Sequence, residues 1–199
     1  MKKYCLLEEV VQHLYNLVYT QDLERCSILY VTNHKNGVDY LGYDINKEQK
    51  GFKVDGRQRC DSEDYHHIVH THPISEYSYP SIEDIWRLVE EPAIKLSVIA
   101  TSWGIYTLKQ KETLKGMEFL NRLKAYKPGY ENEFKSWIDV ELHEGIGKLQ
   151  DRKKAKDIND NILTPAQYMD VNLFLNNISK NLDIEIKLYP WQIIKFSPV

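Results

Sequence analysis

The stretch His70-Thr71-His72-Pro73, followed by Pro80-Ser81-Ile82-Glu83-Asp84, restricts this chain more than any other. Side chains two apart share one side of a β-strand but not of an α-helix. His67-Ile68-Val69-His70-Thr71 is rich in apolar and β-branched residues and predicts a strand ending at Pro73. On such a strand His70 and His72 offer two imidazoles to one point. Ser81-x-x-Asp84 directly after a proline predicts a helix start, with Ser81 as N-cap and Asp84 at N3. A histidine on a strand is more often a packing or surface residue than a ligand, and Ser-x-x-Asp is often only a cap. Here the two readings are compatible, because a capped helix start can also aim its Asp at a metal. Imidazole is a common zinc ligand, and a catalytic zinc takes three protein ligands and keeps one position open. Asp84 completes a His-His-Asp set, so Zn2+ is the expected cofactor. Zinc brings the pKa of its water to about 7. Such a site also calls for a general base and for a donor to the oxyanion.

The remaining composition narrows the class. At 199 residues the chain can bury a sizeable core as one domain, and 42% hydrophobic with 28% charged residues is a globular balance. A formal net charge of −3 gives no general reason to expect nucleic acid or an acidic membrane as a partner. No apolar run approaches membrane-spanning length, and Met1-Lys2-Lys3-Tyr4-Cys5 opens no signal-type apolar segment. Cys5, Cys26 and Cys60 are far apart and form no C-x-x-C pair, so they read as reduced thiols of a cytoplasmic protein.

Leu7, Val10, Val11, Leu14, Leu17 and Val18 recur at helical spacing and predict an amphipathic helix from about Leu6 to Tyr19. Arg25 to Thr32 predicts a buried strand, Asn36-Gly37 a hairpin turn, and Val38 to Tyr43 the returning strand. Asp44 to Asp64 is polar and predicts a long loop with one strand near Phe52 to Val54. Ser81 to Glu91 predicts a helix stopped by Pro92. Ile94 to Ser102 and Ile105 to Gln110 predict two strands joined at Trp103-Gly104.

Beyond Lys111 the pattern is mostly helical. One helix is expected from about Glu112 to Ala125. A second segment carries Phe134, Trp137, Ile138 and Leu142 on one face, weakened by Gly145 and Gly147. Thr164-Pro165-Ala166-Gln167 opens a further helix with a capping box, and Tyr168, Val171, Leu175, Ile178 and Leu182 give it a packing face. Asp183 to Leu188 alternates like a final strand. The basic run Arg152-Lys153-Lys154-Ala155-Lys156 reads as a solvated face. The expected organisation is a core over residues 1–110 and a mostly helical extension over 111–199, within the same domain or as an accessory lobe.

Other metal chemistries fit less well. A zinc deaminase needs a Pro-Cys-x-x-Cys pair and a Glu beside the first ligand, and neither is present. H-E-x-x-H is absent. An H-x-H amidohydrolase would want a barrel of ~250 residues and further His ligands. Cys60 with His66 or His67 is too sparse for a closed four-ligand zinc site, and these histidines are expected near the site without binding metal.

His70-x-His72-Pro73 with Ser81-x-x-Asp84 resembles the JAMM motif of the MPN-plus/JAB zinc metallopeptidases. That family also places a catalytic glutamate upstream, after an N-terminal helix and at the start of a strand, often as Glu-x-Cys-Gly. Glu24-Arg25-Cys26-Ser27 stands at that place. The resemblance covers about Leu6 to Gln110. It implies an α/β fold of the MPN/JAB, cytidine-deaminase-like type: a mixed curved sheet flanked by helices, here with a helical C-terminal extension. It implies that Glu24 is the general base, that His70, His72 and Asp84 bind zinc, and that Ser81 helps hold the oxyanion. Glu8 and Glu9 are weaker candidates for the base.

The implied activity is that of a metallopeptidase or isopeptidase. The substrate would be a protein or peptide, with cleavage after a ubiquitin-like C-terminus among the choices, and with no nucleic-acid or membrane partner. The loops Asp44 to Asp64 and Ile74 to Pro80 are the expected walls of a substrate groove. Two departures stand out. Ser27 replaces the usual glycine. The loop before Ser81 is one residue longer than usual, so strict counting puts Glu83 at the metal position, whereas the intact Pro-Ser-x-x-Asp unit favours Asp84. The alternative reading is a catalytically inactive MPN-type scaffold that serves as an assembly subunit.

Overall fold

The computed structural model describes residues 3–54, 57–59, 66–91, 93–111, 136, 138, 140–149, 162–182 and 184–194. It is a mixed α/β fold built on one curled sheet. In chain order β1 (Lys3–Leu6), α1 (Glu8–Thr20), β2 (Arg25–Lys35) and β3 (Val38–Tyr43) come first. The short strands β4 (Gln49–Lys50), β5 (Phe52–Val54) and β6 (Arg57–Arg59) follow, then β7 (His67–Thr71), α2 (Ile82–Glu90), β8 (Leu96–Thr101) and β9 (Gly104–Gln110). The C-terminal part adds a π-helical turn (Val140–Gly145), a 3-10 turn (Ile146–Leu149), helix α3 (Pro165–Leu182) and β10 (Ile184–Pro190). The sheet runs β1-β3-β2-β7-β8-β9-β10, with β4 on the flank of β2 and a separate β5-β6 pair. Two neighbouring pairs, β1 with β3 and β7 with β8, are parallel, and the other pairs are antiparallel.

Local chemistry accounts for the elements that matter most to the site. Asn36 and Gly37 both take positive φ, 53° and 75°, as a tight two-residue hairpin between β2 and β3 requires. Alternation along β7 sends Ile68 to one face of the sheet and Val69 to the other. On the Val69 side, α1 buries Val10, Val11, Leu14 and Val18 against Leu29, Leu41, Leu96 and Val98. On the Ile68 side, α2 contributes Ile85, Leu88 and Val89, packed with Ile99 and Leu108 of the sheet. His70 and His72 have the parity of Ile68 and therefore face α2.

That second core also contains Ile138, Leu142, Ile146, Val171, Leu175, Ile178 and Leu182, with Ile184, Ile186 and Leu188 of β10. The C-terminal segment therefore shares its core with the first half and extends the first half's sheet through β10, which pairs with β9 from Ile184↔Gln110 to Pro190↔Gly104.

Several expectations are corrected. Leu6 does not open the first helix, which begins at Glu8, but ends a strand, Lys3–Leu6, paired parallel to β3. The strand expected near Phe52 to Val54 is present as β5, but among the described residues of Asp44 to Asp64 there are also a 3-10 turn at Ile45–Lys47 and the strands β4 and β6. Polar edge strands such as Gln49–Lys50 and Arg57–Arg59 carry no apolar alternation, so pattern reading passes over them. The expectation of three reduced thiols also fails. Cys5 is free and exposed, but Cys26 is disulfide-bonded, its partner lying outside the described residues. The disulfide takes away the ground on which a reducing compartment was expected. No helix among the described residues is long and apolar enough to cross a membrane. The helix expected at Glu112 to Ala125, Phe134 and Trp137 of the second segment, and the basic run at Arg152 to Lys156 lie outside the described residues.

The shared core predicts that a cut into α3 weakens the whole domain. Leu175→Ala should cost about 2–5 kcal/mol, read as a lower urea midpoint of one cooperative transition followed by both far-UV circular dichroism and tryptophan fluorescence. Two separated transitions would show that the C-terminal part folds apart from the sheet.

Candidate metal centre

The site lies where β2 begins and β7 ends, against the first turn of α2. Register pairs Cys26 with His70, Ser27 with Val69 and Ile28 with Ile68. Glu24 precedes the strand with the same parity as Cys26, so its side chain falls on the face of His70 and His72. Its backbone is fixed by Gly51, whose N–H donates to the Glu24 carbonyl at 2.8 Å. Arg25 N–H donates to Thr71 Oγ1 at 3.0 Å, which holds the two strand ends together. His72 lies just past β7, but its N–H donates to the Ala100 carbonyl at 2.8 Å, so the chain stays extended through that residue.

Helix α2 begins with a full capping box. Asp84 N–H donates to Ser81 Oγ at 3.2 Å, and Ser81 N–H donates to Asp84 Oδ2 at 2.6 Å. The box fixes the Asp84 carboxylate over the two imidazoles. His70 Nε2 is 3.1 Å from Asp84 Oδ1, His72 Nε2 is 3.4 Å from Asp84 Oδ2, and the two Nε2 atoms are 3.2 Å apart. Glu24 Oε1 stands 3.8 Å from His72 Nε2. On the other side of its ring, His72 donates Nδ1–H to the Tyr77 carbonyl at 3.1 Å. With Nδ1 committed as a donor, Nε2 is the ligand nitrogen, the tautomer that an outer hydrogen bond selects in metal-binding histidines.

The donor set can be tested against the ion it suggests. A tetrahedral zinc with bonds of about 2.0–2.1 Å sets its ligand atoms roughly 3.3 Å apart. The two Nε2 atoms, 3.2 Å apart, match that spacing, and the Asp84 carboxylate lies against both, with Oδ1 3.1 Å from His70 Nε2 and Oδ2 3.4 Å from His72 Nε2. His70, His72 and Asp84 form a group of donors suited to a metal ion, with ligand atoms within 4.8 Å of one another.

Electrostatics follow from burial and crowding. Burial is the largest influence on His72, which is only 4% exposed, and it acts to lower the pKa. The hydrogen bond to Asp84 and the negative charges of Asp84 and Glu24 outweigh it, and the pKa is pushed up to about 9. For Asp84 burial is again the largest influence and acts upward, but His70 and His72 together hold the carboxyl well below its ordinary range. Glu24 ends up raised: burial dominates, His72 and His70 oppose it, and the charges of Asp84 and Glu76 add to it.

His70, His72, Asp84 and Glu24 come together. Ser81 caps α2, and its Oγ accepts the Asp84 N–H; a hydroxyl that accepts can also donate. Glu83 is exposed and is not one of the clustered donors, since one helix position turns its side chain by roughly 100° from Asp84. Glu8 and Glu9 are exposed on the first turn of α1. His67, expected near the site, points to the opposite face of the sheet, its ring 5.1 Å from that of Tyr4. His66 hydrogen-bonds the Ala93 carbonyl at 2.8 Å. Cys60 lies outside the described residues. Sequence reasoning missed the Tyr77 carbonyl and the aromatic group behind it; a backbone acceptor leaves no mark in the sequence.

Comparison with protein-family models, with curated proteins and with solved structures finds no match to this chain.

The charge arrangement predicts a pH dependence for chelator-treated protein. A folded pKa of about 9 for His72, above its ordinary 6.5, gives stability that is complete below pH 6.5 and lost as pH rises through 9. The depressed Asp84 pKa acts oppositely, with stability present above its ordinary 3.8 and lost on acidification below it. Urea unfolding at pH 6.5 and 9 should therefore differ by on the order of 2–3 kcal/mol, and Asp84→Asn should flatten the difference. An equal slope in wild type and variant would refute the pairing.

Proposed function

We propose that this protein is a zinc-dependent hydrolase of the JAMM type that cleaves a peptide or isopeptide bond. The observation that carries the reading is the convergence of His70 Nε2, His72 Nε2 and the Asp84 carboxylate within 3.1–3.4 Å, with the partly buried Glu24 carboxylate 3.8 Å from His72. His70, His72 and Asp84 would hold the ion. Bound there, zinc would supply an acidified water, with a pKa of about 7, and polarisation of the substrate carbonyl.

The chain's own residues supply the proton chemistry. Glu24 sits beside the ligands without being one of the three clustered donors, which is where a base for the attacking water would stand. Burial raises its pKa from the ordinary carboxylate value towards the range where a base can both take and return a proton. It accepts a proton from the attacking water and delivers it to the departing amine. The Ser81 hydroxyl, on the cap of α2, donates to the carbonyl oxygen as negative charge develops.

The substrate class belongs to this proposal. It is a protein or peptide, and cleavage after a ubiquitin-like C-terminus is the form suggested by the motif His70-x-His72-Pro73 with Ser81-x-x-Asp84. The alternative, a catalytically inactive scaffold, is favoured less, because all three ligand types and the glutamate stand together at one point.

Glu24→Gln keeps the size of the side chain and removes the base. On a panel of ubiquitin-like C-terminal fusions the variant should lose about 10²–10⁴-fold in turnover, while zinc content per chain stays at the wild-type level. Chelator should silence the wild type. Chelator-resistant cleavage, or full turnover by the variant, would exclude this mechanism.

A further inference from the structure

The face of His72 away from the ligand cluster leads into the C-terminal half. His72 Nδ1–H donates to the Tyr77 carbonyl, so whatever fixes Tyr77 also fixes the ligand ring. Tyr77 lies on the loop between β7 and α2. One side of that loop is anchored to the sheet: Thr101 Oγ1 donates to the Ser78 carbonyl at 3.1 Å, and the Ser78 and Ser102 hydroxyls are hydrogen-bonded. The other side rests on His143. The His143 ring centroid is 5.0 Å from that of Tyr77, and His143 Nδ1 is hydrogen-bonded to the Tyr79 hydroxyl at 2.8 Å. Tyr79 itself is fully buried.

His143 is held firmly in turn. It sits in the π-helical turn Val140–Gly145, between Leu142 and Ile146, which are both buried in the shared core. Single-turn π segments are frequent at functional sites. Gly147 lets this segment close on Tyr79: a Cβ there would stand 2.9 Å from the Tyr79 hydroxyl oxygen.

We infer that His143 is a positioning residue for the metal centre, acting through Tyr79 and Tyr77 to set the orientation of the His72 ring. The C-terminal half is then part of the site's support. The inference rests on reading His72 as a metal ligand, and its test reads metal affinity rather than hydrolysis. Outer partners of ligating histidines typically change metal affinity by about 10–100-fold when removed. One bond further out, His143→Ala should lie at the lower end, about tenfold weaker.

The experiment titrates zinc alone, against a competing chromophoric chelator, into metal-depleted full-length protein. Circular dichroism confirms that each variant is folded. His143→Ala and Tyr79→Phe should each weaken binding, to about tenfold at most, and the double variant should be no weaker than the worse single one, because both cut the same link. His143→Asn puts a polar atom near the position of Nδ1 and should recover most of the loss. A general loss of stability would not be repaired in this way. Tyr79→Phe, the milder change, decides the matter if His143→Ala does not fold. Wild-type affinity in folded Tyr79→Phe and His143→Ala, or fully additive losses, would overturn the inference and leave the proposed metal site standing. Absence of zinc binding in the wild type would instead remove the proposed metal site and the inference with it.

Discussion

Strand β7 lies between β2 and β8, and that double pairing is the constraint from which the site follows. The antiparallel ladder to β2 sets Cys26 opposite His70, and the parallel ladder to β8 sets Ile99 opposite His70. A slip of one residue would turn Ile68, His70 and His72 to the α1 side and Val69 to the α2 side. Burial on both faces forbids the slip, since Ile68 and Val69 belong to two separate packed clusters. Hydrophobic register thus fixes which way the imidazoles point before any polar contact is made.

The polar contacts then add precision at one carboxylate. Asp84 accepts the Ser81 N–H and faces both imidazoles. The start of α2 and the ligand cluster are therefore one structure, not two features in proximity. Crowding Glu24 and Asp84 around two half-buried or buried histidines sets up opposing pKa shifts, with His72 and Glu24 moved up and Asp84 down. Strongly perturbed groups in one cluster are a physical mark of a functional site.

What could be read from sequence was local. Strand alternation at His67–Thr71 and the cap-like Ser81-x-x-Asp84 are short-range patterns, and the structure has a strand and a capped helix at those positions. The intact Pro-Ser-x-x-Asp unit favours Asp84 over Glu83, and in the structure helix register turns Asp84 towards the histidines and leaves Glu83 exposed. Contacts that depend on chain return left no such trace. The strand Lys3–Leu6 owes its state to β3, not to its own pattern. The Cys26 disulfide joins residues whose spacing is uninformative. His143 reaches Tyr79 across 64 residues of chain, with no motif at either end. The π-helical turn that aims it occupies a segment whose two glycines read only as weak helix.

The central claim is that two imidazoles and one carboxylate, without sulfur, hold a single zinc. X-ray absorption at the zinc edge on protein loaded with one equivalent of metal tests it most directly. The predicted spectrum has only nitrogen and oxygen neighbours at about 2.0–2.1 Å, with outer-ring scattering from two imidazoles that is lost in the double variant His70→Ala, His72→Ala. A sulfur neighbour at about 2.3 Å, or imidazole scattering that survives the loss of both histidines, would place the metal elsewhere and contradict the account.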